Sequence, residues 1–219
     1  NINYLISGNY YFKDGMLKYA KNNNTRVNLH AKLHAELNKY LSLGINVQYQ
    51  SKKNNAPSSG AGSVLNTMYG ARARQLLWQP EETPNYDAQP YSGDLQVNPI
   101  DILKNGGTNE SLYEAFLGKG ELTIKNLVKG LTVNLSASRR AGYYTQRSER
   151  QWLAWYAMNG TTIRQQTNNP NSLYRQKNND YHDQFEATVN YALEAGQHNF
   201  QVLAGTSYEN YRKDQFDAT

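Results

Sequence analysis

Val27-Asn28-Leu29-His30-Ala31-Lys32-Leu33-His34-Ala35-Glu36-Leu37 alternates at every position, apolar at the odd numbers and polar at the even ones. A two-residue period belongs to an extended strand, whose side chains point to opposite faces in turn, so this stretch predicts a strand with one oily and one wet side. The same period returns in residues 41–50, 131–140 and 185–193. The chain is therefore expected to be all-β and built from amphipathic strands.

Seven strands are expected from alternation and turn signals, over residues 2–12, 26–36, 41–51, 112–125, 131–140, 183–193 and 199–211. Their connections alternate in length. Short ones at 37–40, 126–130 and 194–198 take turns with long ones at 13–25, 52–111 and 141–182. In an up-and-down antiparallel sheet every second connection lies at the same end, so one end carries all the long loops. Short turns on one side and long external loops on the other are the pattern of outer-membrane barrels. The expected strands have, or slightly exceed, the roughly 9–11 residues that a tilted strand needs to cross a bilayer.

Composition fits a chain with little interior of its own. The mean hydropathy is −0.82, and the aromatic residues are 18 Tyr against 5 Phe and 3 Trp. Tyrosine favours places where a ring meets an apolar layer and water together. Tyr10, Tyr11, Phe12, Tyr49, Tyr191, Tyr208 and Tyr211 fall near strand ends, as an interfacial girdle would place them. The net charge of +5 is spread without a basic run or an aromatic-basic signature, which argues against nucleic acid. There are no cysteines, so disulfides and Cys-based metal sites are excluded. No apolar run approaches the roughly 20 residues of a transmembrane helix, and the start at Asn1-Ile2-Asn3 shows no signal peptide.

The long connections hold the candidate contact residues. In 52–111 a Gly- and Ser-rich opening leads into residues 64–78, which predict a short helix, followed by Pro80, Pro84, Pro90 and Pro99. The connection 141–182 carries Tyr143, Tyr144, Trp152, Trp155 and Tyr156, whose pattern suits either a helix or extra strands. Trp78, Tyr86, Tyr91, Trp152, Trp155 and Tyr156 are candidates to stack on a sugar face or a peptide side chain, against the plainer role of packing the loops. Asn28, His30, Lys32, His34 and Glu36 share one polar strand face and are read as hydrated wall rather than a metal site. Arg139, Arg140, Arg72 and Arg74 are either solvated charges or an attraction for anionic substrate or lipopolysaccharide. No catalytic constellation emerges. Gly-x-Ser-x-Gly, a phosphate loop and a helical His pair are all absent, and the chain is not read as an enzyme.

Four segments carry a further likeness: residues 4–15, residues 26–30 with 38–47, the turn and strand entry at 126–133, and residues 196–209 with their Gly196-Gln197-His198-Asn199-Phe200 start. Together they resemble the barrel of SusC-like (SusC/RagA) TonB-dependent outer-membrane transporters. The resemblance covers nearly all of 1–219. It implies a middle portion of a transmembrane β-barrel, with no plug domain and no TonB-contacting segment in these residues. It further implies import of glycans, oligosaccharides or peptides across the outer membrane of a Gram-negative bacterium, capture under a SusD-like surface lipoprotein, drive from the TonB complex, contact with outer-membrane lipid, and no cofactor. The competing expectation is a soluble or surface-attached β-rich carbohydrate-binding module or adhesin.

Overall fold

The computed structural model describes residues 1–70, 99–156 and 163–218. Seven strands form one antiparallel sheet, and each pairs with the next in the order in which the chain meets them. They are β1 (Ile2–Asp14), β2 (Asn23–Glu36), β3 (Leu41–Pro57), β4 (Thr108–Lys125), β5 (Leu131–Arg150), β8 (Ser172–Ala195) and β9 (His198–Ala218). Two helices, α1 (Ala61–Gly70) and α2 (Pro99–Asn105), lie between β3 and β4, and a small hairpin of β6 (Leu153–Tyr156) and β7 (Ile163–Thr167) lies between β5 and β8. The fold is all-β and up-and-down, as the alternation predicts. The sheet is open, with β1 and β9 at its two edges.

Each short connection has its own turn chemistry. Asn38 caps the β2–β3 turn by accepting the Tyr40 N–H through its side chain at 2.8 Å. The β4–β5 turn uses Asn126 at φ 63° and Gly130 at φ 84°, residue types that tolerate the left-handed region. β8 turns into β9 through Gly196, also left-handed, and Gln197.

At the opposite end the strands run further than the sequence pattern predicts. β5 continues to Arg150 and β8 begins at Ser172, so residues 141–150 and 172–182 are strand. Trp155 and Tyr156 lie on β6, and the strand alternative for this stretch is the one realised. These extensions are polar on both faces, so they carry no hydrophobic alternation to read. The expected helix is present as α1 up to Gly70, its expected remainder at 71–78 lies outside the described residues, and α2 begins at Pro99, the last of the four prolines. Pro99 supplies the fixed φ that suits a first helical position, Asp101 and Lys104 match the helix dipole at either end, and Gly106 and Gly107 lead the chain away. Leu17 of the β1–β2 connection, Val64 of α1 and Leu103 of α2 pack together with Tyr19, Ala20 and Ile102. The loop end therefore has a small core of its own.

The sheet has none. On one face lie Ile6, Leu29, Ile45, Phe116, Phe185, Val189 and Val202, each at least 40% exposed although most sit on central strands. No described residue covers that face. Its apolar stretch is about nine residues long on each strand, for example 27–35 on β2, 116–124 on β4 and 185–193 on β8.

The edge of this band is oblique. Phe12 ends it on β1 and Val27 on β2, and the register row of Val27, which starts from Tyr10, continues through Ser51, Glu114, Tyr143, Asn179 and Asp214, which are mostly polar. Phe185 and Tyr208 end it on β8 and β9, and their row runs back through Ala137, Gly120, Ile45 and Leu33 to Tyr4. From Val27 on β2 to Tyr208 on β9 the edge thus slips from the row of Tyr10 to the row of Tyr4, a little over one residue per strand step. With a rise of about 3.3 Å and a strand spacing of about 4.8 Å, a level band means strands tilted by about 40°. Transmembrane barrel strands tilt by about 35–45°.

Candidate functional site

The other face of the sheet is polar from edge to edge. Asn28, His30, Lys32, His34 and Glu36 all lie on it, in line with their shared period. His30 hydrogen-bonds through Nε2 to Asn46 Oδ1 at 2.9 Å, and Glu36 takes a hydrogen bond from Asn1 and an ion pair from Lys125 at 3.6 Å. Lys119 pairs with Glu121 at 2.6 Å, and His182 with Glu209. Thr123, Asn134 and Thr188 form a hydrogen-bonded chain across β4, β5 and β8. Among the described residues no three His, Asp or Glu side chains gather to hold a metal ion.

Toward the loop end, one register row brings together Tyr11, Arg26, Lys52, Tyr113 and Tyr144 from five successive strands. Two adjoining depressions of about 510 Å³ each flank it. Asn9, Tyr11, Lys13, Asn24, Arg26 and Asn28 line one with Lys52. Asn24, Lys52, Asn54, Ser111, Tyr113 and Tyr144 line the other. Arg140 donates to the Tyr113 hydroxyl at 2.6 Å, which fixes that ring's polar end. The row offers flat aromatic faces, amides and cations side by side. Beyond the band, partial desolvation and the neighbouring Asp217 hold the Tyr174 hydroxyl above the ordinary tyrosine range, and it remains a neutral donor to that carboxylate at 3.4 Å.

Of the aromatic candidates in the loops, Trp78, Tyr86 and Tyr91 lie outside the described residues, as do Arg72 and Arg74. Trp152 sits just after β5, 42% exposed, with its indole N–H donated to Gln166 Oε1 at 3.3 Å. The two adjacent arginines go to different faces. Arg140 joins the polar one, while Arg139 stands on the apolar side, where it pairs with Asp183 and stacks over Tyr181 at 5.6 Å. Sequence reasoning missed the row itself. Its signal was the two-residue period carried past the apolar stretch of each strand, which places Arg26 with Asn28 and Lys52 with Gln50.

No family model matches the chain, and no curated protein does. Solved structures do, among them two of RagAB. Chains titled as the RagAB peptide importer in a closed-closed state and as the RagAB peptide transporter each superpose with a TM-score of 0.67 at 18% identity, over 99% of this chain. The likeness shows the fold. The present residues span 23% and 24% of those chains, so they correspond to about a quarter of the longer proteins.

Proposed function

We propose that these residues are part of the wall and external loops of a TonB-dependent outer-membrane importer of peptides, glycans or oligosaccharides. The observation that carries this reading is the uncovered apolar band, about nine residues tall and oblique by a little over one residue per strand. A band of that height and slant fits a tilted strand set immersed in lipid, and exposure of it to water would drive aggregation. The apolar face then meets outer-membrane lipid, and the polar face, with Asn28, His30, Lys32, His34 and Glu36, becomes the hydrated lumen wall. A soluble binding module would need a second layer over that face.

The RagAB likeness supports the rest of the proposal. A SusD-like surface lipoprotein would close over the loop end, where Trp78, Tyr86, Tyr91, Trp152, Trp155 and Tyr156 are candidate contacts for substrate or partner. The TonB complex would act through a part of the protein outside these residues. In this scheme the residues bind and guide solute and catalyse nothing. The test is uptake of labelled oligopeptides and oligosaccharides by cells with and without the full-length protein. Loss of uptake of one class, matched by loss when the TonB complex is removed, is the expected result. Undiminished uptake of both, with the protein found in the soluble fraction, would overturn it.

A further inference from the structure

Arg26 and Lys52 stand directly opposite each other across β2 and β3. Side chains so placed start from Cβ atoms about 4.5–5.5 Å apart, and like charges in that position weaken a sheet. Lys13, two residues beyond Tyr11 on the same face of β1, adds a third positive charge to the same depression. None of the three has an ion pair among the described residues. On the polar face of β1 to β5 the carboxylates are Glu36 and Glu121, both near the short turns and both already paired with lysines. Asp180 is three strands from Lys52.

A sheet has many ways to avoid such a pair, and the polar face elsewhere shows them, as at Lys119–Glu121 and His182–Glu209. Here Arg26 and Lys52 are instead set in one row with Tyr11, Tyr113 and Tyr144, at the end of the face where the loops lie, with Lys13 in the next same-face row. We propose that this row is a binding site for a carboxylate-bearing solute, an acidic peptide or a uronate oligosaccharide. The inference rests on the importer reading, and it names the chemistry of the solute that this wall receives. Arg26 and Lys52 would take the carboxylates, and the tyrosine faces and Asn24, Asn28 and Asn54 would take the backbone or rings between them. Unpaired cations facing inward would also draw anions toward the mouth, an effect that salt screens.

The experiment uses the full-length protein in detergent and two pairs of probes. One pair is an oligogalacturonate and a neutral galacto-oligosaccharide of equal length, and the other is an Asp/Glu-rich peptide and its Asn/Gln counterpart. One acidic probe is expected to bind at least tenfold more tightly than its neutral partner at low salt, and which one does so identifies the source of the carboxylate. The double variant Arg26→Gln/Lys52→Gln should lose that preference, and Lys53→Gln, on the opposite face, should keep it. The double variant should also melt no lower than the parent, because it relieves a repulsion. Equal binding of acidic and neutral probes in a detergent-requiring, heat-modifiable protein would overturn this inference alone. So would a lowered melting temperature of the double variant, which would mean that an acidic segment of the protein itself already occupies the cations. A water-soluble protein would overturn the importer reading and this site with it.

Discussion

Gly130 closes the turn between β4 and β5 at φ 84°, and a Cβ built there would lie 1.9 Å from the carbonyl oxygen of Ala192 on the neighbouring β8. Its own carbonyl accepts the Ala192 N–H at 2.8 Å, so the turn is tied to the next hairpin as well as to its own. Gly130→Ala combines a left-handed backbone with a backbone clash and should cost at least about 1–3 kcal/mol. Equilibrium unfolding in detergent or lipid checks it, with Gly62→Ala as a control, since nothing lies within 4 Å of that position. Single residues also show where sequence reading stops. The alternation places Asn28 through Glu36 on one face without further information. The split of Arg139 from Arg140, and the meeting of Arg26 with Lys52 and Tyr113, depend on which strand lies beside which and in what register. Register is fixed across chain separations that no local pattern spans.

At the scale of the strand, hydrophobic alternation locates the part of each element that faces the band and nothing beyond it. The strand cores of the sheet were legible for this reason. The upper reaches of β5 and β8 were not, because water solvates both of their faces and the pattern vanishes while the hydrogen-bonded ladder continues through Arg150 and Ser172. Helix α2 was hidden by a run of prolines whose last member, Pro99, starts it. The band makes a prediction on adjacent residues of β8. Val189 lies midway along the apolar stretch 185–193, and Thr188 beside it points to the polar face. Val189→Arg should destabilise the barrel by about 2–4 kcal/mol, as a charge at the bilayer midplane does, whereas Thr188→Arg should change it little. Folding into lipid vesicles under a urea series measures both.

Over the whole molecule, the two ends of the sheet differ in kind. One carries tight turns at Asn38, at Asn126 with Gly130, and at Gly196. The other carries a packed cluster in which Leu17 of the β1–β2 connection meets Val64 and Leu103 of the two helices. The account places the capped end outside the cell. An epitope inserted after Lys21 should bind antibody on intact cells, and one inserted after Gly196 should bind only after the outer membrane is opened. The edges matter as much as the ends. β1 and β9 each present an unpaired ladder, and the face between them is bare, so residues 1–219 expressed alone in water should aggregate rather than give a monomer. Residues 1–219 lack cysteine, and single cysteines can be introduced along β8 of the full-length protein, at each position from 185 to 193, once any cysteine elsewhere in it has been replaced. A fluorophore at each site, in vesicles containing nitroxide-labelled lipid, reports lipid contact directly. The account predicts strong quenching at Phe185, Ala187, Val189, Tyr191 and Leu193 and weak quenching at Glu186, Thr188, Asn190 and Ala192. Uniformly weak quenching along the strand would contradict it.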